Sequence, residues 1–342
     1  MTTTDANVSD SSNGPEEDDW RAVATRVRNW GRWGDDDELG TLNHITPEAV
    51  QYAATLARRG KVIPLSVPLN SDGPQDAFGL RRNPVHLMSV DGGDDDAAEH
   101  LHGWGGRKEK GIATLYDAGP ARYADDWIMM PCQAGTQWDA LSHVFYEGKM
   151  YNGYPSSAVT SLGATKASIE PIGMAGGVVG RGVLLDVARH RGVDRLEPHT
   201  AITPEELDDV VATQGVELRT GDIIVIRTGW WQEYDEKQDG HQWFVDTPGV
   251  HWRVAEWLHL HNAAAVAADN ISVESQPPAN GVRLCFHMLA IRDMGMMLGE
   301  IWDLEELGAD CASNGTYDFL LVAPALPITG AVGTPVNPIA IR

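Results

Sequence analysis

Residues 132–154 read CQAGTQWDALSHVFYEGKMYNGY, and the front half of this stretch decides how the whole chain is read. Gln133, Gln137, Asp139 and His143 place two carboxamides, a carboxylate and an imidazole close together, with Gly135 and Thr136 among them. All four positions have one parity. A strand alternates its side chains, so an extended or gently bent segment turns the four to one side, whereas a helix scatters them. The pattern reads as the wall of an active site. Its plain alternative is a satisfied hydrogen-bond network in a core beside Trp138.

The spacing Gln133-Ala-Gly135-Thr136-Gln137-Trp138-Asp139-Ala-Leu141-Ser-His143 resembles the H-x-G-T-H-x-D-x-P-x-H motif of the metal-dependent cyclase family, which includes bacterial kynurenine formamidases and isatin hydrolases. Gly, Thr, Asp and the last His match; both front histidines are glutamine and the proline is Leu141. The resemblance continues outward. His287 and Glu300, a dozen or so residues apart, match in kind the family's later histidine and glutamate, and Asp269 and Ser272 match a D-x-x-S-like segment at a strand end. Trp30 and Trp33, in an opening that reads NWGRWGDDDELGTLN, match an N-terminal region that contributes to the substrate pocket in longer members. The resemblance implies a layered α/β fold, swivelling β/α-like, forming one domain with a curved mixed sheet and flanking helices.

Other segments suit that architecture. Thr46 and Pro47 open a helix that Gly60 stops, giving helix over 46–59, and 62–69 reads as a strand. Residues 73–106 read as loop, holding His86, His100, His102 and the run Asp94-Asp95-Asp96, with His86 as a possible pocket residue. The run GGVVGRG at 176–182 fails phosphate-loop spacing and reads as a tight turn feeding a strand at 183–187. Thr203-Pro204-Glu205-Glu206 caps a helix to about 213, and the apolar runs at 223–227 and 263–268 read as buried strands. Helical spacing covers 250–261, and 319–322 with the segment reaching 339 reads as a terminal strand pair.

The totals bound the partners. At 342 residues with 42% hydrophobic content, the chain can bury a sizeable core, expected over 20–342 as one hydrolase domain. Residues 1–19 are polar and acidic and are expected to form a disordered tail. Forty-nine acidic against 26 basic residues give a net charge of -23, which repels phosphate backbones and anionic membranes, so neither is an expected partner. The three cysteines, Cys132, Cys285 and Cys311, have no CxxC spacing and suit a reducing cytoplasm. Cys132 adjoins the motif, where a buried structural thiol is the ordinary reading and a nucleophile the sharper one. No apolar run spans a bilayer and no secretory leader is evident.

The expected chemistry is hydrolysis of an amide or lactone bond in a small, aromatic or cyclic substrate, of arylformamidase type. His143 and Asp139 are the catalytic candidates; Trp30, Trp33, Gln133, Gln137 and Trp138 are candidates for substrate contact. In one version a divalent metal, manganese or zinc, is held by Asp139, His287 and Glu300 with Gln133 or Gln137 assisting. An oxygen-rich set of that kind leans away from zinc. In a second version the site is metal-free, with Asp139 orienting His143 as base and the carboxamides donating to an oxyanion. A third reading is a non-catalytic pocket for a small aromatic ligand. Relatives imply a homodimer or homotetramer.

Overall fold

The computed structural model describes residues 19–75, 81–91 and 123–342. The tail proposed for 1–19, apart from Asp19, together with His100, His102 and the 94–96 acidic run, lies outside the described residues.

Nine strands of the described residues form one curled mixed sheet. They are β1 (Val62–Pro64), β2 (Gln137–Asp139), β3 (Val178–Asp186), β4 (Ile223–Arg227), β5 (Ala265–Ala268), β6 (Met297–Glu300), β7 (Asp318–Ala323), β8 (Gly333–Pro335) and β9 (Ile339–Ile341). Their order in the sheet is β1-β9-β7-β3-β4-β5-β6-β2-β8. The middle four, β3 to β6, are parallel, and the strands on both flanks pair antiparallel.

The central strands are mostly apolar because both faces are covered, with the charged residues Asp186, Arg227 and Glu300 at their C-terminal ends and Arg181 within β3. Ile224, Ile226, Val266, Ala268 and Leu298 enter one core, packed against the helices Pro204–Gln214 and Val254–Leu260 and the helical segment that follows Leu284. Ile223, Val225, Ala265, Ala267 and Met297 enter the other, with Trp138, Trp302, Tyr151 and the helices Ile169–Met174 and Glu305–Asn314. This alternation fixes the site. Trp138 belongs to the second core, so Gln137 and Asp139, its neighbours on β2, face the first; Glu300 has the parity of Leu298 and faces the same way.

Several elements differ from the sequence expectation. The first long helix is Pro47–Ala54 rather than 46–59, since Thr55 caps it and Gly60 makes a separate left-handed turn. The strand expected over 62–69 is only Val62–Pro64. The helix expected over 250–261 begins at Val254, because Gly249–Val250 pairs with Ala201–Ile202 in a small parallel sheet. Residues 73–106 are not all loop: Val85–Asp91 pairs antiparallel with Ala124–Met129. The turn at Gly176 and Gly177 is there, but the strand after it starts at Val178 and takes in the later glycines. A Cβ at Gly182 would lie 2.3 Å from the Phe319 ring, which explains a glycine inside a strand.

Candidate active site

The antiparallel pairing of β6 with β2 sets Glu300 directly opposite Gln137 and Leu298 opposite Asp139. Cross-strand partners on one face lie close together, so the register alone brings the two carboxylates and the Gln137 amide into one place. Trp138 pairs with Gly299, where a Cβ would lie 2.8 Å from the Trp138 ring and 2.6 Å from the Ala267 methyl, so only glycine lets these strands close over the indole.

Thr136 secures the entry to β2. Its hydroxyl donates to the Ile301 carbonyl at 2.5 Å and accepts from the Val67 amide at 2.9 Å. Ile301, directly after Glu300, has a φ of 60°, a conformation unfavourable for a β-branched residue. The Thr136 bond and the Ile301 amide bond to Asn270 O at 2.8 Å hold it there.

His287 comes from a different element. Cys285–His287 forms a helical turn that runs on into a π-helical stretch, Met288–Met294, after Leu284 at φ 56°. Its Nε2 lies 3.2 Å from Glu300 Oε1 and 4.0 Å from Asp139 Oδ2. Ligand atoms of Asp139, His287 and Glu300 all fall within 4.8 Å of one another, and all three residues are buried. Gln137 Nε2 donates to Glu300 Oε2 at 2.5 Å and, more weakly, to Asp139 Oδ1 at 3.4 Å.

On its other side His287 Nδ1 meets Glu274 Oε1 at 2.5 Å. Sequence reasoning missed Glu274. The D-x-x-S segment pointed into the loop that carries it but stopped two residues short. Asp269 faces elsewhere, accepting from the Thr228 amide and hydroxyl and the Gly229 amide, while the Ser272 hydroxyl donates to the Glu274 carbonyl at 2.6 Å.

His143 sits in the turn after β2 with 19% of its side chain exposed and Nε2 3.6 Å from Asp139 Oδ1. Burial, then the positive charges of His287 and Arg81, pull its imidazole down to about 3, so it is neutral at working pH. Burial also lowers His287, but the hydrogen bonds and charges of Glu274 and Glu300 outweigh it and push the imidazole up to about 10. Asp139 is held well above the usual carboxyl range by burial and by Glu300, with His287 and Arg81 offsetting only part.

The remaining candidates divide. Gln133 is nearly buried, with Nε2 unpartnered beside Gly333 and its carbonyl accepting from Gln75. Trp138 is fully buried on the opposite face of β2, edge-on to Trp302 with its N–H on the Ala323 carbonyl, where it supports the sheet away from the Asp139 cluster. Trp30 donates to the Arg292 carbonyl at 2.8 Å beneath the Arg28 and Arg292 guanidiniums, and Trp33 packs edge-on to His44. The Trp30 contacts pin the N-terminal segment to the π-helical stretch, while the Trp33 contact lies within that segment. His86 pairs with Asp126 on the exposed two-stranded ribbon at 2.6 Å.

Three buried carboxyl groups, Asp139, Glu300 and Glu274, face one imidazole, and Asp139 Oδ2 and Gln137 Oε1 are buried without a hydrogen-bond partner. Buried charge of one sign with acceptor atoms left over is what a cation site looks like before its cation is counted. The donors present fit a divalent ion: two carboxylates, one imidazole backed by an acid, and a carboxamide oxygen.

Fold and site together define an α/β protein of cyclase type, with its polar centre at the C-terminal end of a sheet strand. Residues 63–275 match the family described as putative cyclase, and the chain belongs to that family. A solved structure described as a novel cyclase is 40% identical, with a TM-score of 0.81 over 92% of this chain and 100% of that one. Isatin hydrolase A from Ralstonia solanacearum shares the fold at 18% identity and a TM-score of 0.57, over 86% of this chain and 97% of that one. Isatin hydrolase A from Labrenzia aggregata, bound to benzyl benzoate, does so at 17% and 0.56, over 85% and 97%. No curated protein matches the chain significantly. No helix among the described residues is long and apolar enough to cross a membrane.

Proposed function

We propose that this protein is a hydrolase that cleaves an amide or lactone bond in a small aromatic or cyclic substrate, at a centre built by Asp139, His287 and Glu300 around a divalent ion. The observation that carries the reading is the convergence of these three buried side chains within 4.8 Å, with acceptor atoms of Asp139 and Gln137 left unpartnered. The isatin hydrolase likeness supports the reaction class through the fold.

Asp139, His287 and Glu300 would hold the ion, with Gln137 Oε1 as the fourth donor. An ion in that place supplies Lewis acidity, polarising a carbonyl and acidifying water. One nitrogen among oxygens favours manganese or magnesium over zinc. His143, partly open to solvent and 3.6 Å from Asp139, accepts the proton of the attacking water and returns it to the leaving nitrogen or oxygen. The Gln137 amide, bonded to both carboxylates, keeps them from splaying apart.

The experiment is turnover of an arylformamide and an aryl lactone by protein stripped with chelator, then resupplied with manganese. We expect loss on stripping and recovery on resupply. Undiminished turnover of stripped protein overturns the metal-dependent version and leaves Asp139 and His143 to act alone.

A further inference from the structure

We infer that Glu274 is a positioning residue, which fixes the ring plane and the Nδ1–H form of His287 so that Nε2 is presented to the centre. The inference rests on the proposed metal site only for its second readout; the first concerns the protein without metal.

Glu274 is 2% exposed, and among the described residues its carboxylate hydrogen-bonds only to the Phe286–His287 segment. Oε1 meets His287 Nδ1 at 2.5 Å and the His287 amide at 3.4 Å, while Oε2 accepts from the Phe286 amide at 3.2 Å. One carboxylate thus grips both the ring and the backbone that carries it. An imidazole held at Nδ1 and by its own amide cannot rotate about its side-chain bonds, and its other nitrogen then points at Glu300 Oε1 and Asp139 Oδ2.

The loop that delivers Glu274 is shaped for this purpose at an energetic cost. Val273 has a φ of 54°, a left-handed conformation that strains a β-branched residue. Asn270 holds it, its Oδ1 accepting from the Val273 amide at 2.7 Å and its Nδ2 donating to the Pro248 carbonyl at 2.6 Å. Gly249 makes room, since a Cβ there would lie 2.4 Å from the Val273 carbonyl oxygen. The two acids within hydrogen-bond distance of the His287 ring each adjoin a β-branched residue in the left-handed region: Glu300 precedes Ile301 and Glu274 follows Val273. Strain kept beside both of those acids fits a requirement for the ring's exact direction rather than for packing.

The test is Glu274→Gln in the full chain, with Ser272→Ala, which removes the hydroxyl bond to the Glu274 carbonyl, as a milder second variant. The first readout is the nitrogen-15 spectrum of His287 in metal-stripped protein. Wild type should show a protonated, slowly exchanging Nδ1, and Glu274→Gln should shift that signal and speed its exchange, with Ser272→Ala between them. The second readout is manganese affinity by calorimetry, expected to fall about 10–100-fold in Glu274→Gln. An unaltered His287 spectrum in both variants overturns the inference, as does a shifted spectrum with wild-type manganese affinity. Wild type that takes up no manganese while the spectra respond as expected refutes the metal reading and leaves the positioning role standing.

Discussion

Asp139→Asn should make the metal-free protein more stable and the metal-supplied protein less so. With an effective dielectric constant of about 20, repulsion from Glu300 at the 4.8 Å limit of the cluster is about 3.5 kcal/mol, and attraction to a His287 cation at 4.0 Å is about 4 kcal/mol. The two nearly cancel. What remains is the desolvation of a fully buried carboxylate, which opposes the charged form. Asparagine keeps an oxygen for Gln137 and has no charge to desolvate, so the stripped variant should gain about 1–3 kcal/mol, a rise in Tm of roughly 2–6 °C. Because the folded pKa of Asp139 is raised, its stabilising contribution is complete below the unfolded carboxyl pKa and is lost as pH rises through the folded one. The variant's advantage should therefore be absent in acid and grow toward neutral pH. Manganese at a thousand times its Kd adds about 4.1 kcal/mol to wild type and should add far less to the variant, so the order of Tm reverses. Calorimetry of both proteins with chelator and with manganese, at pH 4.5 and 7.5, decides it. A stripped variant less stable than wild type at pH 7.5 refutes the charge argument, and an identical response to manganese in both removes Asp139 from the ion's ligands.

Two further outcomes follow from the same geometry. His143→Ala should fold normally, since its side chain is partly exposed, yet lose about 10²–10⁴-fold in kcat; wild-type turnover would take His143 out of the mechanism. His44, buried against Trp33, is drawn from 6.5 down to about 4 by burial, Arg32 and His259. The unfolded chain takes up that proton first, so stability is lost as pH falls from 6.5 toward 4, by about 3 kcal/mol in total. Urea midpoints for His44→Gln should vary less over this range than those of wild type, and parallel curves would contradict the assignment.

Much of the site was legible along the chain. Asp139, His287 and Glu300 could be named because their types and spacings resemble a motif, and Gln137 because it shares Asp139's parity on a short strand. That parity governs only β2, however, since Gln133 and His143 lie in the turns on either side of it. Trp138 shows the limit: its place in the motif suggested a pocket residue, but strand alternation sends it into the opposite core. Trp30 and Trp33 stand in a segment that resembles a pocket-forming N-terminal region, while the partners that hold them, Arg292 and His44, come from the far end of the chain and from a separate turn.

By itself the sequence determined the layered α/β plan, through a motif resemblance with which the apolar runs agree, and the chemical kinds of group that meet at the centre. Tertiary structure alone decided which of them touch. Glu274 lies two residues past the D-x-x-S segment, and it is brought to His287 where Val273 is bent into a left-handed turn beside Gly249. The register that sets Glu300 against Gln137 is likewise a pairing between strands more than 150 residues apart. Periodicity along a chain reports which face a side chain takes; contact across a fold depends on register and loop closure, which no local pattern encodes.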